Sequence, residues 1–113
     1  MVENKGKPLT MNEDFRIVAN RGIVVMSRHA EARRLKRRVP IDAIHRILTD
    51  FNAIEEYPDS FPLPAMLLFG MCEDTPLHIV AGFDLEQEIV YIITVYIPDS
   101  EHFEPDWITR RNN

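Results

Sequence analysis

The apolar residues of this chain change their period once, near Asn52, and that change limits the fold more than any other feature. Upstream, Ile41, Ile44, Leu48 and Phe51 follow i, i+3, i+7, i+10, the spacing of an amphipathic helix that ends near Asn52. Downstream the period falls to two. Residues 53–57 read as a short strand, 65–71 as a continuous apolar run, and 77–83 as an alternating one, while 89–97 are rich in β-branched and aromatic side chains. Pro58-Asp59-Ser60 is turn chemistry, and residues 72–76 and 84–88 have the length of hairpin connections. Helices followed by strands on short connections predict an α+β domain, with N-terminal helices on one face of a four-stranded antiparallel meander sheet.

The segment before that helix fits the same plan. Residues 1–11 are polar, with Gly6 and Pro8, and read as a tail. Residues 12–20 suit a short helix with Phe15 and Val18 at i, i+3, stopped by Arg21-Gly22, and Ile23-Val24-Val25-Met26 suits a short strand. Ser27 is placed to cap a helix over 28–38, whose apolar stripe is Ala32, Leu35 and Val39. Pro40 interrupts it and suits the first turn of the next helix. Residues 1–22 are thus a tail and short helix, and 23–111 a single domain. Pro98 and Pro105 end the last strand, Trp107 and Ile108 anchor the tail, and residues 110–113 are expected to be solvated.

Charge is distributed unevenly. The 113 residues carry a formal net charge of -5, yet residues 28–38 hold six cations and one acid, while residues 39–113 hold three arginines and fourteen acids. A concentrated basic segment in an acidic chain says more about partners than the total does. The single Cys72 excludes an internal disulfide and a Cys-pair zinc site, and suits a reducing cytosol. The longest uncharged runs, 61–72 and 89–98, fall short of the roughly 20 apolar residues of a membrane span. A soluble cytoplasmic protein with no membrane partner is expected. No Gly-rich phosphate loop, nucleophile elbow or dinucleotide fingerprint is present, so no cofactor is expected.

An ordered string of motifs runs through the chain. His29-Ala30-x-x-Arg33 is followed by Arg37-x-Val39, the Ile41/Ile44 helix, Ile54-Glu55-Glu56-Tyr57-Pro58-Asp59, Pro64 with an apolar strand, Pro76-Leu77-His78-Ile79-Val80, Ile93-Thr94-Val95-Tyr96-Ile97-Pro98-Asp99 and Trp107. In order and spacing this resembles the bacterial family known as domain of unknown function 4258, over roughly residues 23–111. The resemblance implies a RelE-like fold within the barnase- and RelE-like nuclease group. It also implies a toxin-type endoribonuclease whose cognate antitoxin carries a zinc finger and a helix-turn-helix. Arg34 stands where the family has an apolar residue, and Arg38 where it has a small one. Both enlarge the basic face.

Metal-independent RNA cleavage needs a base, an acid and cations on the crowded phosphorane. His suits the first two roles near neutral pH, and the planar fork of Arg suits the third. His29, Arg33 and Arg37 at i, i+4, i+8 share one side of a helix. His78 is the second acid–base candidate. Arg34, Thr94, Tyr96 and Tyr57 are candidate RNA contacts, the tyrosines by stacking. Strict alternation sets His78 opposite Leu77 and Ile79, and groups Thr94 and Tyr96 with Val90 and Ile92. His29 and His78 lack the short spacing of metal ligands, and no metal is expected. The competing readings are structural: Arg33 and Arg37 paired with downstream acids, His78 a satisfied strand histidine, and the domain a non-catalytic module that binds protein or RNA.

Overall fold

The structure is a computed structural model that describes residues 10–112. Helix α1 (Met11–Arg21) begins in a capping box: the Thr10 hydroxyl accepts from the Glu13 amide at 3.1 Å, and the Glu13 carboxylate accepts from the Thr10 amide at 3.2 Å. Strand β1 (Ile23–Met26) follows, then α2 (Arg28–Lys36), α3 (Ile41–Thr49), β2 (Asn52–Tyr57), β3 (Ala65–Cys72), β4 (Thr75–Asp84) and β5 (Ile89–Tyr96).

The sheet has five strands in the order β1-β5-β4-β3-β2. The four from the second half form the expected antiparallel meander. The correction is β1, which joins the edge parallel to β5 with Ile23 beside Ile89 and Met26 beside Ile92. A parallel neighbour reaches its place by a long crossover, so no hairpin spacing marks it in the sequence. No described helix is long and apolar enough to cross a membrane.

One face of the sheet packs on the helices. Phe15 and Val18 of α1, Ala43, Ile44, Ile47 and Leu48 of α3, and Phe51 meet Met66, Leu68, Leu77, Ile79, Ala81, Phe83, Val90, Ile92 and Val95. Phe15 sits edge-on to both Phe51 and Phe83, at 5.3 and 5.4 Å between centroids, each pair worth about 1 kcal/mol beyond its buried area. Of the stripe expected on α2 only Val39, past the end of the helix, is buried. Only Ala30 of its residues is fully buried, whereas Ala32 and Leu35 are exposed. The helix therefore buries one small residue fully, keeps Glu31, Arg33 and Arg34 partly covered, and exposes Arg28, His29, Ala32, Leu35 and Lys36.

Ser27 fixes where α2 starts. Its hydroxyl accepts from the Ala30 amide at 2.9 Å and donates to the Ile93 carbonyl at 3.0 Å. Ile93 is a bulge, because Val80 pairs with Thr94 while Ala81 pairs with Ile92. The extra residue moves Thr94 and Tyr96 to the face opposite Val90 and Ile92, which overturns the strict alternation of the sequence reading.

Helix α2 ends in a Schellman closure. The Arg38 amide donates to the Leu35 carbonyl at 3.1 Å and the Val39 amide to the Arg34 carbonyl at 2.9 Å. Arg38 takes the left-handed position with φ 57, where a side chain costs about 1 kcal/mol that Gly does not incur. Pro40 then stands at the N-cap of α3, one position before the first turn.

Candidate functional site

The face of the sheet away from the helices carries lateral rows: Glu55, Leu67, Val80 and Thr94 form one, and Phe69, His78 and Tyr96 the next. Residues 98–112 fold over it as a strap. Its Phe103 is buried, and a bridge between Phe103 and Arg110 closes it.

His78 is the centre of that face and is fully buried. Its Nε2 lies 2.6 Å from the Trp107 carbonyl, and its Nδ1 3.1 Å from the Tyr96 hydroxyl. A carbonyl only accepts, so Nε2 carries the proton, and Nδ1 accepts from Tyr96. The rings of Phe103, Tyr96 and Phe69 surround it edge-on at 4.6, 5.2 and 6.1 Å. Burial lowers the pKa of the imidazole, partly opposed by the Trp107 carbonyl. Both nitrogens are occupied and no surface is left for a substrate.

Beside it, Arg110 donates Nε and Nη2 to the two carboxylate oxygens of Glu55 at 2.7 and 3.0 Å, and lies 5.0 Å over the Phe103 ring. The Tyr57 hydroxyl donates to the same carboxylate. The guanidinium holds Glu55 below its ordinary pKa, while burial and then Glu55 push Tyr57 up to about 12. Arg111 similarly meets Glu104 and the Ser100 and Phe103 carbonyls. Arg110 is exposed, as expected of residues 110–113, but it is paired, and Arg111 is both paired and half-buried. These pairs span up to 55 positions, and nothing local in the sequence announces them.

The helix row is placed differently. His29 and Arg37 are exposed and Arg33 half-buried, and none of the three makes a side-chain hydrogen bond or ion pair among the described residues. The competing reading of Arg33 and Arg37 as paired with downstream acids finds no such pair. Arg34 instead serves the helix: it donates to the Val39 carbonyl at 3.1 Å and pairs with Glu31. No hydrogen bond or ring contact joins the row to His78. Thr94, half-buried, and Tyr96 share the face of His78, and Tyr57 lies on the same face at its β2 side.

The cations divide by location. Among the described residues Arg21, Arg34, Arg110 and Arg111 pair with carboxylates, and Arg16 holds Asn12 and the Phe51 carbonyl. Arg28, Arg33, Lys36, Arg37, Arg38 and Arg46 have no partner there. All six lie on α2, its C-terminal turn and α3. Arg46 was missed because Pro40 breaks the helical count that would align it with Arg37. Among the described residues no three His, Cys, Asp or Glu side chains cluster as metal ligands would.

No curated protein and no solved structure matches the chain. Residues 26–97, from the end of β1 through β5, match a family model, which leaves α1 and the strap outside the match. The chain belongs to the family described as Domain of unknown function (DUF4258).

Proposed function

We propose that the domain binds RNA by its phosphates through α2 and the turn into α3. The observation that carries this is the set of six cations on α2, its C-terminal turn and α3 that have no partner among the described residues, where the other described arginines are held by neighbouring side chains or backbone. An unpaired guanidinium offers its full fork to a phosphate without first breaking an ion pair. The acids of the sheet half and tail repel RNA elsewhere, so a chain of net charge -5 admits it over one surface. The test is fluorescence anisotropy with a labelled single-stranded oligoribonucleotide over a salt series. Affinity should fall with salt, and Arg33→Ala with Arg37→Ala should reduce the logarithmic slope by roughly 0.7 per lost contact. Binding insensitive to salt and to both substitutions would overturn the reading.

A second reading is the cytoplasmic toxin of a toxin–antitoxin pair, a RelE-like endoribonuclease. The family resemblance supports it, together with an exposed His29 on the same helix as Arg33 and Arg37. Here His29 moves the proton and the arginines hold the scissile phosphate, with an antitoxin covering the helix when activity is held off. The enclosure of His78 favours binding over cleavage, because His78 would reach a phosphate only with the strap displaced. Growth arrest on expression of the wild type, relieved by His29→Ala, is the expected result for cleavage. Intact RNA with purified protein leaves the binding module.

A further inference from the structure

The six cations without a partner among the described residues are not spread evenly. Arg37, Arg38 and Arg46 line one cleft of about 460 Å³ between the α2–α3 turn and the β3–β4 hairpin. That size lies within the range of small-molecule sites. Its apolar lining, the floor of the cleft, is Ile97, half-buried, with the nearly buried Val39 and Leu77 behind it. Asp42 and Glu73 also border it, yet neither pairs with any of the three arginines. Arg38 enters the cleft from a left-handed backbone position, φ 57, at which Gly closes a helix without strain. The turn that closes α2 thus brings a third guanidinium, without a partner among the described residues, beside those of Arg37 and Arg46.

Resting on the RNA-binding reading, we infer that this cleft is the subsite for one nucleotide of the bound strand. Its phosphate lies on Arg37, Arg38 and Arg46, and its nucleoside lies over Ile97, with Val39 and Leu77 behind it. The cations supply the bidentate forks that phosphate oxygens accept. The floor removes one flat face of the nucleoside from water, which inorganic phosphate does not need. Asp42 and Glu73 repel any anion at the rim, phosphate included, so an anion is held only where it reaches the guanidinium groups of Arg37, Arg38 and Arg46.

The experiment compares full-length wild type, Arg46→Ala, Arg46→Lys and Arg33→Ala for an oligoribonucleotide. In parallel, uridine monophosphate, inorganic phosphate and a glutamate-rich peptide are titrated by NMR. The Arg46 side chain bonds nothing among the described residues, so both its variants keep the fold. Arg46→Ala should weaken RNA binding about tenfold, and Arg46→Lys should recover only part of it, since an ammonium lacks the fork. Uridine monophosphate should shift the Leu77 and Ile97 signals, and inorganic phosphate should bind more weakly. Unchanged affinity in both Arg46 variants, with loss in Arg33→Ala, overturns the subsite and leaves the RNA-binding surface intact. Equal binding of inorganic phosphate and the nucleotide overturns the role of the floor. Preference for the acidic peptide, or no RNA binding by the wild type, overturns the subsite and the RNA reading together.

Discussion

The Trp107 carbonyl oxygen sits 2.6 Å from Nε2 of the fully buried His78, and this bond ties the C-terminal strap to the middle of the sheet. It joins a strand inside the family-matched region to a segment outside it. Burial lowers the folded pKa of the imidazole and so favours its neutral form, with Nε2–H on the Trp107 carbonyl. The unfolded chain titrates near the ordinary value of about 6.5. The unfolded state therefore takes up a proton first as pH falls. The contribution of His78 to stability is present above about pH 6.5 and declines below it, until the folded pKa is passed. Its limiting slope is about 1.4 kcal/mol per pH unit. Trp107 is the only tryptophan, so its emission reports strap and fold together. Urea midpoints followed by that emission should fall between pH 6.5 and 5 in the wild type. The same slope in His78→Leu would remove His78 as the cause.

Arg110 and Glu55 fasten the same strap from its far end. The pair is bidentate but half-exposed, so water and salt screen it, and Arg110→Ala should cost no more than about 1 kcal/mol globally. Its local effect should be larger. Amide exchange at residues 103–111 should quicken in the variant while β3 and β4 keep their protection. Equal acceleration across the sheet would mean that the strap does not open separately from the sheet.

These two fastenings show where the sequence stopped being legible. The meander was readable because each strand meets the next in the chain, and α3 because Ile44 and Leu48 repeat at the helical period. Bulge Ile93 inserts one residue, and every alternation counted across it comes out reversed. β1 finds β5 only across the whole domain. In the site, the row His29, Arg33, Arg37 followed from spacing within one helix. The enclosure of His78 did not, because its walls are Phe69, Tyr96 and Phe103, brought from two other strands and the strap. That Arg33 and Arg37 find no partner among the described residues was hidden for the same reason: it depends on where fourteen downstream acids end up.

Gly22 separates α1 from β1 at a point with no room for a side chain. A Cβ there would lie 2.0 Å from the Glu88 carbonyl oxygen and 2.8 Å from that of Val18, both backbone. Backbone does not yield as a side-chain tip does, so Gly22→Ala should destabilise by about 3 kcal/mol through displacement of the β1–β5 pairing. Gly82 is the control. Its nearest neighbour would be 3.5 Å away, an ordinary contact. Chemical denaturation should show Gly82→Ala within about 1 kcal/mol of wild type. Comparable losses at the two sites would contradict the steric account.

Arg38 sets stability against binding at a single position. Its φ of 57 closes α2, and Gly adopts that conformation without a Cβ clash. Arg38→Gly should therefore raise the unfolding free energy by about 0.5–1 kcal/mol, less the greater freedom of Gly in the unfolded chain. The same change removes one of the three guanidinium groups of the cleft, and single-strand RNA affinity should fall several-fold, with a shallower salt slope. Arg38→Asn separates the two effects. It keeps much of the backbone relief, since Asn tolerates the left-handed region, and it removes the charge. Urea midpoints that rise while affinity falls in both variants are the expected pattern. A variant that gains stability and keeps full affinity would leave Arg38 with no part in holding the phosphate.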